Sequence, residues 1–201
     1  AKEIIKGSSI SIVEQKQCVS LAGKILFEAL KSFEVKVDGK TALDVGSSTG
    51  GFTQVLLYEG AEKITSVDVG TDQLHSSLRS DARISLLEQT DIRDISSRLK
   101  DSFDLVVVDV AFISLSKIIK DIAFVARIGG DIILLYKPQF EVGKQNISKN
   151  GVVKKEIDTQ KILGHFLKSL EKSSLYFEKY RKAYITGKKG NQEIFVHLKK
   201  C

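Results

Sequence analysis

The chain has 201 residues, a hydrophobic share of 42% and a formal net charge of +6 at pH 7, which fits one domain with a full core. Its apolar runs are too short to cross a membrane and no secretory signal is visible, which excludes a membrane-spanning protein and favours a cytoplasmic one. Two cysteines do not make a disulfide framework, and three histidines without metal-ligand spacing predict no metal site. The basic balance favours a polyanionic partner.

Apolar periodicity and turn residues predict alternating helices and strands in the first half of the chain. Residues 1–17 are expected to be irregular. The helix at 19–33 is amphipathic, because its apolar residues recur at helical spacing. The elements predicted after it are a strand, a helix, a strand, a helix and a strand, at residues 41–45, 51–59, 63–69, 72–80 and 84–88.

The second half begins with an almost continuous apolar run at 104–110, which is typical of a strand buried on both faces. Gly129-Gly130 is expected to turn the chain, and residues 187–190 to join the last two strands. The elements predicted after the apolar run are a helix, a strand, a helix and two strands, at residues 115–126, 131–137, 157–172, 174–183 and 192–199. This order predicts an α/β fold with a seven-stranded, mostly parallel sheet, an antiparallel C-terminal strand and helices on both faces.

The most informative stretch, residues 42–53, reads Ala-Leu-Asp-Val-Gly-Ser-Ser-Thr-Gly-Gly-Phe-Thr. A strand stops at an acidic residue, glycines turn the chain, and a helix follows. Glycines let backbone N–H groups approach a ligand, and the helix N-terminus favours negative charge, so this stretch predicts a nucleotide or nucleoside cleft. The turn at 46–51 lacks the middle glycine of the dinucleotide fingerprint and the Gly-Lys-Ser/Thr of a P-loop, which disfavours both of those ligand classes.

Acidic residues stand at or just beyond the ends of four predicted strands. Asp44, Asp68 and Asp109 end the first, second and fourth strands, and Asp91 follows the third. The carboxyl ends of parallel strands line one crevice, where Asp68 would suit ribose hydroxyls and Asp91 an adenine amino group. Any one of them could instead cap a turn or a helix, but their common register favours a shared cleft.

Six motifs then make the pattern specific. They are Asp44-Val45-Gly46 with Gly50-Gly51-Phe52-Thr53, Ser66-Val67-Asp68-Val69-Gly70, Thr90-Asp91-Ile92-Arg93-Asp94, Val108-Asp109-Val110-Ala111-Phe112-Ile113-Ser114-Leu115, Lys137-Pro138-Gln139-Phe140-Glu141, and Gly190-Asn191 with Glu193. In this order, from about residue 18 to the C-terminus, they resemble the TlyA (hemolysin A) family, which is similar to the FtsJ-like RNA 2′-O-methyltransferases.

The resemblance implies a Rossmann-like class I methyltransferase domain at 18–201 that uses S-adenosyl-L-methionine. It implies 2′-O-methylation of cytidine in ribosomal RNA, with ribosomal RNA or ribosomal subunits as partners, no DNA and no stable membrane insertion. The implied cofactor-binding residues are Asp44, Gly46, Ser47, Gly50, Gly51, Phe52, Asp68, Asp91 and Asp109. The family also carries an N-terminal RNA-binding module of the S-four type, so residues 1–17 are expected to be a linker or a remnant of that module.

Methylation of a ribose hydroxyl needs a methyl donor in line with the oxygen and a group that removes or stabilises the hydroxyl proton. A lysine can act as that base if burial or neighbouring positive charge lowers its pKa. Lys137 ends the fifth predicted strand and should face the cleft, although its position alone also fits a surface lysine. The resemblance implies that Lys137 is the catalytic lysine and that Asp109 and Glu193 are the catalytic acids.

The resemblance also implies a second catalytic lysine, in a Ser-Arg-Gly-Gly-x-Lys-Leu segment of the first helix. The corresponding residues 20–26 here are Ser-Leu-Ala-Gly-Lys-Ile-Leu, so Ile25 takes the position of the lysine and Lys24 comes one residue earlier. One residue is a rotation of about 100° on a helix. Either Lys24 reaches the site from a shifted helix, as a fourth catalytic residue, or the catalytic set is incomplete.

Basic residues are frequent in the polar loop at 137–155 and near the C-terminus. Lysines beside a cleft suit salt-sensitive contacts with phosphates, although an ordinary solvated loop has the same composition. The candidate RNA contacts are Lys144, Lys149, Lys154, Lys155, Lys188 and Lys189.

Three alternatives stay open. The displaced Lys24 is compatible with a non-catalytic RNA- or cofactor-binding protein on the same fold. A membrane-acting hemolysin is suggested only by the older family name. A dinucleotide-dependent oxidoreductase remains an alternative at the level of the fold, although the missing middle glycine of the dinucleotide fingerprint disfavours it.

Overall fold

The computed structural model describes residues 20–170, 173–187 and 189–201, and the predictions for 1–17 and for Lys188 fall outside these residues. The strands are β1 (Thr41–Val45), β2 (Lys63–Val67), β3 (Ile84–Leu87), β4 (Phe103–Val108), β5 (Ala126–Tyr136), β6 (Leu175–Lys182) and β7 (Ile194–Lys200). The α-helices are α1 (Leu21–Phe33), α2 (Gly51–Tyr58), α3 (Ser76–Arg79), α4 (Ile92–Ile95), α5 (Ile119–Val125) and α6 (Thr159–Ser169). None of these described helices is long and apolar enough to cross a membrane.

The seven strands form one sheet in the order β3-β2-β1-β4-β5-β7-β6. The pairs among β1 to β5 are parallel, and β7 runs antiparallel to both of its neighbours, β5 and β6. The predicted mostly parallel sheet with an antiparallel C-terminal strand is therefore confirmed. Val45 at the end of β1 is level with Val67 on β2 and Val108 on β4, so the residues that follow these three strands share one edge.

The helices cover both faces of the sheet, and alternate residues of β4 pack against the helices on each face. Val106 and Val108 belong to the apolar cluster that includes α4, α5 and α6, whereas Leu105 and Val107 belong to the cluster with α1, α2 and α3. Successive side chains of a strand point to opposite faces, so a strand buried on both sides must be apolar throughout. This is why the continuous apolar run was a reliable signal.

Several predicted boundaries differ from the observed ones. The helix predicted at 72–80 is reduced to the short α3, and the one at 115–126 is a 3₁₀ turn at Leu115–Lys117 followed by α5. Gly129-Gly130 does not separate a helix from a strand, because β5 already begins at Ala126. The pairing moves from Phe103–Ala126 directly to Leu105–Asp131, so the two glycines lie in an irregular insertion within β5.

The close crossing of α1 and α2 brings the start of α1 to the glycine-rich turn. A Cβ atom added to Gly23 would lie 2.8 Å from the carbonyl oxygen of Gly51, and one added to Gly51 would lie 2.0 Å from Ser20 Oγ. Two glycines in contact allow the two backbones to approach where any larger residue would separate them. Ser20, Leu21 and Ala22 therefore lie beside the turn.

Replacing Gly23 by alanine should destabilise the fold by roughly 1–3 kcal/mol, because the new methyl group meets backbone atoms of α2 that cannot move alone. Gly164→Ala is the matched control: it makes the same change inside α6, where nothing lies within 4 Å of the added atom. Alanine should stabilise that position by about 0.5–1 kcal/mol through its helix propensity. Urea unfolding measures both free energies, and equal stabilisation by the two changes would contradict the close crossing.

Candidate active site

A cavity of about 620 Å³ opens where β1, β4 and β5 end. Its wall contains the glycine-rich turn after β1, the start of α1, the loop after β4, the segment after β5 and the connection from β6 to β7. This is the crevice at the carboxyl ends of the strands in which open α/β sheets bind ligands. Its size is that of a site for a small molecule such as a nucleoside derivative.

The glycine-rich turn is held against the end of β4. Gly46 has a φ of 84°, and a Cβ atom there would lie 2.4 Å from the carbonyl oxygen of Asp109. The backbone N–H groups of Gly46 and Ser47 donate to the carbonyl of Val67, at 2.8 and 3.2 Å. The turn therefore presents bare backbone to the cavity in a conformation that excludes larger residues at Gly46.

Four of the predicted cofactor residues on this turn line the cavity, namely Gly46, Ser47, Gly51 and Phe52. Gly50 does not, because it faces α3: a Cβ atom on Gly50 would lie 2.4 Å from Leu78 and 2.6 Å from Leu74. Its φ of 90° allows the turn to enter α2. Gly50 therefore has a packing role, and its backbone conformation supports the turn.

Asp44 lies beneath the turn and is completely buried. Thr53 Oγ1 donates to its Oδ2 atom at 2.6 Å, and no described residue is hydrogen-bonded to Oδ1. Burial raises the pKa of Asp44 to about 7, with smaller upward contributions from the charges of Asp109 and Asp68 and an opposing one from Thr53. Asp44 is thus an acceptor that is short of a donor or a positive charge.

Asp68 accepts hydrogen bonds from two backbone N–H groups, those of Ser48 at 2.8 Å and Gly70 at 2.7 Å. Each carboxylate oxygen can accept a further bond, so Asp68 is still able to receive ribose hydroxyls. The neighbouring Val69 exposes an apolar side chain. Asp68 follows β2 and is fixed in orientation by the turn, but it is not among the residues that line the cavity, and its contact with a ribose stays a prediction.

Asp91 takes the capping role that the sequence left open as an alternative to an adenine contact. It caps α4 through the N–H group of Arg93, and the Arg93 guanidinium donates to both of its carboxylate oxygens, at 3.0 and 2.6 Å. These hydrogen bonds hold the pKa of Asp91 below its usual value. Asp91 does not line the cavity, and its carboxylate is occupied by Arg93.

Lys137, Asp109 and Glu193 meet in one corner of the cavity. Lys137 follows β5 and begins the 3₁₀ turn Pro138–Phe140, and its ammonium group forms an ion pair with Asp109. Glu193 precedes β7 and is buried. Burial raises its pKa, while Lys137 and a hydrogen bond with Gln139 partly offset the effect and Asp109 adds to it. The structure thus brings together three of the four residues predicted to be catalytic.

Gly187, in the connection from β6 to β7, makes room for Glu193. A Cβ atom on Gly187 would lie 2.5 Å from Glu193 Oε1. The backbone N–H of Gly187 donates to the carbonyl of Asn191 at 2.9 Å, which closes this connection over the acid. The connection therefore forms a wall of the site as well as joining two strands.

Lys24 does not reach the cavity. Ser20, Leu21, Ala22 and Ile25 of the α1 region line it, whereas the side chain of Lys24 is exposed to solvent. Lys24 and Ile25 lie about 100° apart on α1, so only one of them can face the site. The expectation that a shifted helix would deliver Lys24 is therefore not met, and an isoleucine occupies the position.

Residues 18–200 match the family model described as FtsJ-like methyltransferase. The chain belongs to the FtsJ-like methyltransferase family.

Relatives within the family have named activities. The chain is 43% identical over 181 residues to the 23S rRNA (cytidine-2'-O)-methyltransferase TlyA of Campylobacter jejuni, a match that covers 89% of this chain and 70% of the relative. It is also 43% identical over 140 residues to the 16S/23S rRNA (cytidine-2'-O)-methyltransferase TlyA of Mycobacterium tuberculosis, covering 69% of this chain and 52% of that protein. Hemolysin A of Brachyspira hyodysenteriae is 35% identical over 200 residues, covering 98% and 83% of the two chains.

Solved structures agree with the fold of an FtsJ-like methyltransferase. A crystal structure of a hemolysin-named protein from Lactococcus lactis superimposes with a TM-score of 0.87 at 35% identity, covering 93% of this chain and 90% of that one. An S-adenosylmethionine-dependent methyltransferase from Listeria monocytogenes superimposes with a TM-score of 0.65 at 16% identity, covering 90% and 100%. The second match bears on the fold alone.

The described lysines that were predicted to contact RNA fall into three groups in this FtsJ-like chain. Lys189 lines the main cavity, where its ammonium group lies against Gly151. Lys154 and Lys155 line a second groove, of about 210 Å³. Lys144 and Lys149 are exposed on the loop outside both.

Sequence reasoning missed an aromatic pair and a carboxylate at the mouth of the cavity. Phe112 is 92% exposed with a φ of 65°, and its ring lies 5.3 Å from that of Phe140. Glu141 accepts from Ser114 Oγ at 2.6 Å and from the N–H of Leu115 at 2.8 Å, so it joins the loop after β4 to the segment after β5. All three residues belong to the motifs that resemble the family, but no local sequence pattern indicates an exposed ring on a backbone with positive φ.

Asp44→Asn should change the pH dependence of stability. Because the folded state raises the pKa of Asp44 from 3.8 to about 7, it retains a proton that the unfolded chain loses, and wild-type stability falls as the pH rises between these values. Asparagine keeps an oxygen for Thr53 and does not ionise. The variant should therefore gain up to about 4 kcal/mol relative to the wild type between pH 4 and pH 8.

Urea unfolding of the ligand-free chain across this pH range measures the difference. Asp131→Asn is the control, because hydrogen bonds from His197 and Lys40 lower the pKa of Asp131 to about 2 despite its burial. The stability that the ionised Asp131 contributes is present above the ordinary carboxyl pKa and is lost as the pH falls towards 2. The Asp131→Asn change should therefore not alter the pH dependence of the unfolding free energy between pH 4 and pH 8. A difference in unfolding free energy between the wild type and Asp44→Asn that is independent of pH would contradict the raised pKa.

Proposed function

We propose that this chain transfers a methyl group from S-adenosyl-L-methionine to the 2′-hydroxyl group of a cytidine ribose in ribosomal RNA. The observation that carries the proposal is the meeting of Lys137, Asp109 and Glu193 in a cavity walled by the glycine-rich turn. The named activities of the Campylobacter and Mycobacterium relatives support the choice of substrate.

The cavity fits S-adenosyl-L-methionine by its donors and acceptors. The missing side chains of Gly46 and Gly51 let the turn lie against Asp109 and Ser20, and the buried Ser47 Oγ and Asp44 Oδ1 have no hydrogen-bond partner among the described residues. We assign Gly46, Ser47, Gly51 and Phe52 to the wall around the ligand and Asp68 to its ribose. When bound, this cofactor supplies an electrophilic methyl group on a positively charged sulfur, and the acidic Asp44 and Asp109 suit a cationic ligand.

Lys137 is assigned to the ribose hydroxyl. Its ion pair with Asp109 is formed by the charged ammonium, which has no lone pair with which to abstract a proton. Lys137 therefore orients the hydroxyl oxygen and stabilises the negative charge that develops on it, and Asp109 fixes the ammonium. Glu193, a buried carboxyl group with a raised pKa in the same corner, is assigned to accept the proton.

Phe112 and Phe140 are assigned to the nucleobase. A fully exposed phenylalanine with a positive φ is an expensive arrangement that persists only where the surroundings hold it, and such residues cluster at ligand sites. Glu141 supplies the hold by bonding Ser114 and Leu115 at the end of the same loop. Aromatic side chains stack on unpaired bases, so we infer that the target nucleotide enters with its base unstacked from the RNA.

A second candidate function is a non-catalytic RNA- or cofactor-binding protein. Ile25, rather than a lysine, faces the cavity from α1, which favours this candidate. It predicts binding of S-adenosyl-L-methionine without methyl transfer to any ribosomal particle. Hemolysin names occur among the relatives, but no feature of the described site favours a membrane-directed activity.

Lys137→Ala should reduce methyl transfer by at least about 100-fold. It removes the group that orients the hydroxyl oxygen and stabilises the negative charge that develops on it. The affinity for S-adenosyl-L-methionine should stay within about threefold, measured by calorimetry. Lys24→Ala is the matched control: the same change on an exposed lysine of α1 should leave turnover unchanged. Transfer of labelled methyl groups to 30S and 50S subunits and to deproteinised rRNA measures the rates.

The turnover of the two lysine variants distinguishes the roles of Lys137 and Lys24. Equal losses in the two lysine variants would show that Lys24 reaches the site in the working enzyme. Unchanged turnover in Lys137→Ala would remove Lys137 from its assigned role. Binding of S-adenosyl-L-methionine by the wild-type chain, without methyl transfer to any ribosomal particle, would select the non-catalytic candidate.

Phe112→Ala should raise KM for the RNA about tenfold or more through the loss of base stacking, while the affinity for S-adenosyl-L-methionine is unchanged. Phe112→Tyr keeps the ring and should retain most of the wild-type KM. Steady-state methylation at varied RNA concentration measures the effect. An unchanged KM in Phe112→Ala would contradict the assignment of this ring to the nucleobase.

A further inference from the structure

Three tyrosines are exposed on the edge strand β6 and two residues beyond its end. Tyr176, Tyr180 and Tyr184 are 60%, 46% and 52% exposed. β6 pairs only with β7 among the described strands, so its outer side is an open edge of the sheet. The strand itself carries Lys179, Arg181 and Lys182 against Glu178, which makes it basic.

The register places Tyr176 and Tyr180 on opposite faces of β6. Tyr180 pairs with Val196 and therefore faces the side of α6, whereas Tyr176 pairs with Lys199 on the other side. Lys182 pairs with Ile194 and shares the face of Tyr180. Tyr184 lies beyond the end of β6, between Ala183 and Ile185, which both pack in the apolar cluster of α1, so its side chain is turned away from α1.

The contacts of the basic residues Lys179 and Arg181 agree with this alternation. The Lys179 ammonium lies 5.8 Å from the centre of the Phe33 ring, and Arg181 donates to the carbonyl of Glu28, at 3.0 Å. Both of these partners belong to α1, on the side away from α6. Tyr180, Lys182 and Tyr184 are left as a row of aromatic, basic and aromatic side chains. We name this row the tyrosine stripe.

The tyrosine stripe ends beside the two cavities. Gln192 Nε2 donates to the carbonyl of Ala183 at 2.8 Å, and Gln192 lines the second groove together with Lys154 and Lys155. The residues that follow Tyr184 in the chain, Ile185 and Thr186, line the main cavity. One surface therefore runs from the edge of the sheet, past the lysine-lined groove, to the mouth of the proposed active site.

Asn191 joins these parts firmly. Its Oδ1 accepts from the N–H of Val153 at 3.0 Å, and its Nδ2 donates to the carbonyl of Gly151 at 2.9 Å. The loop that carries Lys154 and Lys155 is thus tied to the connection between β6 and β7. A strand of nucleic acid that contacts one part would meet the others in a fixed arrangement.

We propose that the tyrosine stripe and the lysine-lined groove bind single-stranded RNA beside the target nucleotide, by stacking on Tyr180 and Tyr184 and by phosphate contacts from Lys182, Lys154 and Lys155. The proposal rests on the proposed RNA methyltransferase function. Aromatic platforms combined with a basic groove are the means by which proteins bind single strands without reading sequence. Lysines are depleted in protein–protein interfaces, so the interleaved lysine favours RNA over a protein partner.

The experiment compares matched tyrosine variants of the full chain. Tyr180→Ala with Tyr184→Ala removes the stripe, and Tyr176→Ala removes an equally exposed tyrosine from the opposite face of the same strand. The probe is a single-stranded oligocytidine RNA of about 12 nucleotides, with an RNA duplex of the same length for comparison. Affinity is measured by fluorescence anisotropy across a range of salt concentrations, and thermal unfolding checks that each variant is folded.

The double variant should lose about tenfold in affinity for each tyrosine, without a change in the salt slope, because stacking releases no counterions. Tyr176→Ala should bind like the wild type, and Tyr180→Phe with Tyr184→Phe should recover the affinity. Lys182→Gln should instead reduce the slope of log K against log salt by about 0.7. The duplex should be bound equally by all the tyrosine variants.

An unchanged affinity in the double variant, or an equal loss in Tyr176→Ala, would overturn the proposal. So would a concentration-dependent dimer in sedimentation that the double variant abolishes, since the stripe would then bind a second copy of the chain. Methylation of ribosomal subunits by the wild type is measured in parallel. If methylation is normal and the stripe variants match the wild type, this inference fails alone; if stripe-dependent RNA binding occurs without any methylation, the proposed function fails instead.

Discussion

The contact between the turn after β1 and the end of β4 is the constraint on which the site depends. Gly46 can lie against the Asp109 carbonyl only because it has no side chain and accepts a φ of 84°. That approach closes the wall of the cavity and brings the glycine-rich turn close to Asp109, which pairs with Lys137. A larger residue at Gly46 would move the proposed cofactor wall away from the proposed catalytic corner.

Charge balance explains the chemistry that the cavity can support. Asp44 and Glu193 are both buried, and burial raises the pKa of each carboxyl group. Lys137 compensates part of this negative charge at one end of the site. At the other end Asp44 lacks a charged partner among the described residues, which is the environment that a positively charged ligand would satisfy. Burial therefore disfavours an unpaired carboxylate at both positions.

The substitution on α1 changes one part of this balance. The close approach of Gly23 to Gly51 fixes the rotation of α1, and this rotation directs Ile25 into the cavity and Lys24 to solvent. Among the described residues that line the cavity, positive charge comes from Lys137 and Lys189. Lys189 belongs to the connection between β6 and β7, so α1 supplies no positive charge to the described lining of the cavity.

The sequence by itself determined the α/β class, the parallel sheet with its reversed last strand, and the turn at 46–51. Apolar runs, glycines and strand-end acids are local signals whose physical cause lies within a few residues. Motif resemblance also identified Lys137, Asp109 and Glu193, which the fold then brought into one corner. Only the tertiary structure decided that Lys24 faces solvent, that the guanidinium of Arg93 binds both carboxylate oxygens of Asp91, and that Gly50 packs against Leu74 and Leu78. It also decided that the ring of Phe112 is exposed and that Glu141 binds Ser114 and Leu115. These outcomes depend on helix rotation, register and contacts between distant segments, and no local pattern in the chain encodes them.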